Sequence, residues 1–151
     1  AWSDGSSGAT YAVTSADDPG DTITCTVTAD DLYGGVVSGS ASATVDNTDP
    51  VIDSVTVSPS LAKVGEDLTC AATASDADGG TPTITYAWSN GDTGDTTTVT
   101  SSDTPGDTIT CTATATDVDL GTGTGTASAT VENSDPEIDT TPAARPRVPG
   151  A

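Results

Sequence analysis

The sequence contains no histidine, no methionine and no phenylalanine, and its only basic residues are Lys63, Arg145 and Arg147. Without histidine there is no Ser-His-Asp or Cys-His arrangement and no ordinary zinc site. Lys63 lies in no serine pattern suggestive of a Ser-Lys dyad. The three glutamates, Glu66, Glu132 and Glu137, are widely spread, and the acids fall mainly in turns and junctions, a poor basis for the paired carboxylates of a glycosidase. A non-catalytic chain is expected. Against three cations stand 23 acidic residues, and the net charge of −20 repels phosphates and anionic lipid surfaces. Nucleic acid is therefore not expected as a partner. No apolar run approaches a membrane span and no stretch is signal-like, so a soluble, processed or excised chain without membrane insertion is expected. Scarce aromatics beside abundant threonine fit β-rich secreted repeats better than a cytosolic enzyme.

What the chain does contain is a repeat. "PGDTITCT" occurs at 19–26 and again at 105–112, and residues 1–50 match 87–136 without a gap at about 31 of 50 positions. The matched pairs include Trp2/Trp88 and Cys25/Cys111. An offset of 86 residues is too long for a solenoid turn and suits one small β domain. The expected division is a C-terminal part of one repeat at 1–50, a complete repeat at 51–136, and a linker or the start of a further repeat at 137–151. On this reading the chain opens in mid-domain, as a window on a longer tandem array or as a subunit completed by neighbours.

Apolar residues alternate with polar ones through the complete repeat. Leu68, Cys70, Ala72 and Ala74 share one face, as do Ile84, Tyr86 and Trp88, then Ile109, Cys111, Ala113 and Ala115, then Ala127, Ala129 and Val131. Further strands are expected near 52–58 and 96–101, with Gly, Asp, Asn and Pro clusters between. Helical spacing is absent. Six or seven such strands predict an all-β fold, an antiparallel sandwich of two sheets.

Cys70, Trp88 and Cys111 follow the Cys…Trp…Cys order of an immunoglobulin-type core, in which a disulfide joins the sheets beside a buried indole. Two unrelated buried thiols are the competing reading. Ile109 and Ile23 occupy the position of the signature tyrosine, so the likeness is to the architecture and not to antibody domains. Such a bridge implies an oxidising compartment, extracellular or at the cell surface. Cys25 repeats the Cys111 position, and its counterpart of Cys70 lies outside 1–50. It is expected to be unpaired, or bonded to another segment or chain in the manner of donor-strand assembly.

"TCAATASDADGGTPTITYAW", "DTITCTATATDVDLGTGTGTASATV" and "DNTDPVIDSVTVSP" together resemble the tandem Ig-like and PKD-like repeats of large bacterial surface and secreted proteins, over nearly the whole chain. "WSNGDTGD" approximates the PKD hallmark of an aromatic followed by "GDG". "ASDADGG…ITY" and the acidic-Pro junction also resemble cadherin repeats, which hold calcium between domains. The resemblance implies tandem immunoglobulin-like domains with Trp2, Trp88, Tyr86 and Ile109 in their cores.

Calcium takes six to eight oxygens, which turn-borne Asp and Asn side chains and backbone carbonyls supply. The candidate ligands are Asp76 and Asp78, Asp117 and Asp119, Asp46 and Asp49 of "DNTDP", and Glu132 and Asp135 of "ENSDP", converging at one domain end. The alternative is that these are solvated turn carboxylates. "GTGTGT" at 121–126 precedes neither a helix nor a lysine and is no phosphate loop; it reads as a flexible hairpin. Outward threonines suit a solvated sheet face. "TPAARPRVPGA" reads as an extended tail.

Two function classes remain. The first is a structural shaft, stalk or filament whose partners are adjacent Ig-like repeats or identical subunits, in a homopolymer or long tandem array. The second is an adhesin or recognition module for carbohydrate or protein, for which Tyr11 and Tyr33 are the exposed aromatic candidates.

Overall fold

The structure, a computed structural model, describes residues 1–136. The segment 137–151, expected to be a linker or the start of a further repeat, lies outside the described residues. Among the described residues nine strands follow one another: β1 Thr22–Asp30, β2 Val36–Thr44, β3 Val51–Ser58, β4 Leu61–Ala62, β5 Asp67–Ser75, β6 Thr83–Trp88, β7 Thr96–Thr98, β8 Thr108–Thr116 and β9 Thr122–Val131. No helix occurs among the described residues. The period-two pattern with β-branched threonine on alternate positions accounts for this, since each strand buries one row of side chains and wets the other.

Residues 51–136 form two sheets, in the orders β3-β5-β7 and β4-β9-β8-β6. The pairings are antiparallel except for β4, which runs parallel to the end of β9 through Leu61↔Thr130 and Ala62↔Val131. Their facing sides enclose one core of Leu68, Cys70, Trp88, Val99, Ile109, Cys111, Ala129 and Val131, with Val55, Val57 and Tyr86 packed against it. Cys70 on β5 is bonded to Cys111 on β8, closing a sequence separation of 41. The disulfide therefore ties one sheet to the other. Two polar atoms of the core aromatics are satisfied locally: Trp88 Nε1 donates to Gly94 O at 2.9 Å, and the Tyr86 hydroxyl accepts the Ala72 N–H at 3.2 Å.

Two local expectations are corrected. The strand expected over 96–101 ends at Thr98, because Thr100 N–H and Oγ1 turn onto Asp103 Oδ2 at 2.8 and 2.9 Å. "GTGTGT" is not a flexible loop: Gly121 closes the turn after β8, and Thr122–Thr126 are the first half of β9, the returning arm of the β8–β9 hairpin. Its glycines are needed for close approach. A Cβ at Gly125 would lie 2.8 Å from Ile52 Cγ2 and 2.9 Å from Val55 Cγ2, and one at Gly123 would collide with Pro50 O.

In the first repeat β1 and β2 form a two-stranded sheet whose register repeats that of β8 and β9 at an offset of 86 residues: Thr22↔Thr44 answers Thr108↔Thr130. Local bonds repeat too. Trp2 bridges Cys25 as Trp88 pairs Cys111, and Trp2 Nε1 donates to Gly8 O at 3.2 Å. The two copies differ in cover. Val99 is 1% exposed, whereas Val13, its counterpart, is 59% exposed.

Candidate functional site

Two places bring the sequence-predicted residues together. The first is where the link 45–50 meets the turns after β5 and β8. In each turn an aspartate organises the backbone: Asp76 Oδ1 accepts the Asp78 N–H at 2.9 Å, and Asp117 Oδ1 accepts the N–H groups of Asp119 and Gly121 at 2.9 and 2.8 Å. Asx geometry of this kind is what Asp contributes to a tight turn. The link supplies donors to the remaining carboxylate oxygens. Asn47 Nδ2 donates to Asp117 Oδ2 at 3.1 Å, and Thr48 donates to Asp78 through its backbone N–H at 2.5 Å and its hydroxyl at 3.2 Å. Asp49 also arrives here, for a Cβ on Gly121 would lie 2.7 Å from Asp49 Oδ1 and 2.6 Å from Asn47 Nδ2.

Asp117 is held below the usual carboxylate range chiefly by the Asn47 amide, opposed by desolvation and reinforced by the backbone donors of its turn. Asn47, Asp76, Asp78, Asp117 and Asp119 border a recess of about 390 Å³ shared with Asp18, Gly80 and Pro82. Asp119 and Asp46 are exposed. Among the described residues no group of three or more Asp, Glu, Cys or His side chains is disposed to hold a metal ion.

Glu132 and Asp135 do not reach this recess. They follow β9 beyond Val131, where β9 pairs with Thr108 at the start of β8, while Asp117 follows the other end of β8. The length of a nine-residue strand, roughly 27 Å at ~3.4 Å per residue, separates the two ends. The expected convergence of both junction copies at one domain end is thus corrected by the antiparallel run of β9: the first copy, 46–50, meets the turn aspartates and the second, 132–136, lies at the opposite end.

The second place is the inward face of the β1–β2 sheet. Trp2, Tyr11, Val13, Ile23, Cys25 and Val45 line a recess of about 330 Å³ that opens outward. Cys25 is a free, half-buried thiol. Tyr11 is not the exposed aromatic that its position suggested. Its ring lies 5.4 Å from that of Trp2, and its hydroxyl donates to Asp17 Oδ1 at 2.7 Å. That hydrogen bond to an anion is the main reason the phenol is pushed up to about 12. Tyr33 is exposed as expected, at 96%, beside Leu32 at the β1–β2 turn.

Sequence reasoning missed two participants in this face. Val13 was invisible because the segment before β1 has no strand pattern, although its alignment with Val99 would have identified it. Gly39 carries no signal of its own in the sequence; its counterpart is Gly125. No family model, no curated protein and no solved structure matches the chain.

Proposed function

We propose that the chain is a non-catalytic structural part of an extracellular or cell-surface shaft, stalk or filament, built from immunoglobulin-like domains set end to end, with 51–136 as one complete domain and 1–50 as part of another. The observation that carries this reading is the joint. Residues 45–50 lead from β2 into β3, and Asn47 and Thr48 are bonded to Asp117 and Asp78 in the turns of the following repeat. A joint hydrogen-bonded in this way resists bending, and "ENSDP" repeats its sequence one repeat later. The disulfide suits an oxidising environment. Adjacent repeats or identical subunits are the natural partners of such a module.

Electron microscopy of the assembled, unreduced protein tests the reading. Beaded rods or filaments with an axial repeat of roughly 40 Å per domain are expected for sandwiches of ~100 residues. Compact, separate particles would overturn it. A second reading, a recognition module for carbohydrate or protein, draws on Leu32 and Tyr33, exposed at 88% and 96%. Loss of surface binding in Tyr33→Ala with an unchanged fold would favour that reading.

A further inference from the structure

The two repeats present the same side chains to opposite circumstances. Trp2, Val13, Ile23, Cys25, Ala43 and Val45 are identical to Trp88, Val99, Ile109, Cys111, Ala129 and Val131 at the constant offset. In the complete repeat these residues are buried in one cluster with Leu68 and Cys70, which β5 of the facing sheet supplies. In the first repeat the corresponding face is only partly covered: Val45 is buried, Trp2, Ile23 and Cys25 are half-buried, and Val13 and Ala43 are exposed. Gly39 adds an independent sign. A Cβ there would meet nothing within 4 Å, yet at its counterpart Gly125 the space is filled by Ile52 and Val55 of the covering sheet. Gly39 thus keeps clear a space that no described residue enters.

We propose that this face is a docking site for one occupant: a polypeptide segment of the same repeat sequence, equivalent to residues 51–75, which lies on it as a facing sheet and is bonded to Cys25 through its counterpart of Cys70. The chain's own residues 51–75 are not available for this, because the Cys70–Cys111 bond fixes them on the second repeat. The segment 137–151 contains no cysteine. The occupant is therefore outside residues 1–151. Its path differs from that of β3 at one end, since Val37 stands where Gly123 admits the Pro50 carbonyl. Its closest approach falls beyond Val37, over Gly39. The inference rests on the reading of residues 1–50 as part of an immunoglobulin-like domain, and names the partner that completes it.

Bond formation is thiol–disulfide exchange. The Cys25 thiolate attacks the occupant's cysteine sulfur held as a mixed disulfide with glutathione; the new S–S bond forms as the old one breaks, and glutathione leaves as its thiol with the proton Cys25 gave up.

The test uses the full chain with a synthetic peptide of residues 51–86 whose Cys70 carries glutathione. The expected product is a one-to-one adduct that peptide mapping assigns to Cys25, with Cys70–Cys111 of the chain intact. Docking raises the local concentration of the two sulfurs, so the adduct forms at least about tenfold faster than with a peptide carrying Cys70→Ser and Thr69→Cys, whose sulfur faces the other side of the strand. Gly39→Val keeps Cys25 and is expected to abolish that advantage. Its circular dichroism checks the hairpin, and if the hairpin is lost the shifted peptide alone decides. Equal rates for the two peptides, transfer of glutathione alone to Cys25, or a Cys25–Cys25 dimer would each overturn the proposal. Rods without an adduct leave the shaft reading standing and remove this one, and compact particles with an adduct do the reverse.

Discussion

Trp88 stands directly across from Cys111 in the β6–β8 register, and Cys111 is bonded to Cys70 on the facing sheet. The indole and the disulfide thus occupy the same level of a core otherwise built largely from alanine and valine. With so little apolar volume, the cross-link is expected to carry a large part of the stability. On the chain-entropy model, closing a separation of 41 residues contributes roughly 4 kcal/mol. The double variant Cys70→Ser, Cys111→Ser is expected to lose about that much in urea unfolding followed by tryptophan fluorescence. A loss below about 1 kcal/mol would show that the sheets hold together by packing alone.

A Cβ added at Gly125 on β9 would press on Ile52 and Val55 of β3. Gly125→Val is expected to push β3 away and destabilise the two-sheet unit of residues 51–136 by about 1–3 kcal/mol, as overpacking does. Gly39→Val, in the open copy, is expected to leave the melting temperature of the isolated chain almost unchanged. Differential scanning calorimetry of the two variants checks the contrast, and an equal effect would mean that the glycines serve backbone conformation instead of close approach.

Asp117 gives the joint a dependence on acid. Its carboxyl is held below the usual range by the Asn47 amide, so its contribution is present above the unfolded value of about 4 and is lost as pH falls through the lower folded value. Protonation of the 23 acidic residues relieves repulsion over the same window, and only a comparison between variants isolates the joint. Asp117→Asn is expected to lower the melting temperature at neutral pH and to show a smaller acid-induced fall than the natural chain. Parallel melting curves from about pH 6 to about pH 2 measure this difference, and parallel slopes would remove Asp117 from the joint.

Divalent cations offer a further check. Asp78 and Asp117 already accept hydrogen bonds from the link and from their own turns. Removing calcium with a chelator is expected to leave the melting temperature unchanged. A fall on chelation, reversed by added calcium, would instead assign the recess beside Asn47 to a cation.

Strand positions and inward faces were readable because a half-buried strand writes its burial directly into alternate residues. Leu68 and Cys70, or Ile109 through Ala115, need only the pleat to be placed. Leu61–Ala62 was not readable, since two residues carry no period and their pairing with β9 depends on where that strand ends. Nor was the role of "GTGTGT", whose glycines look flexible until β3 is placed over them.

By its own pattern, then, the chain determined the all-β class, the repeat, and which row of each strand turns inward. Tertiary structure alone decided that one junction's Asn47 and Thr48 meet Asp117 and Asp78 while Glu132 and Asp135 lie at the far end, and that Cys111 is buried and bonded while Cys25 is half-buried and free. The reason is physical. Periodicity is a property of one strand, whereas cover and convergence depend on which strands pair, in which direction, and on what is laid across them.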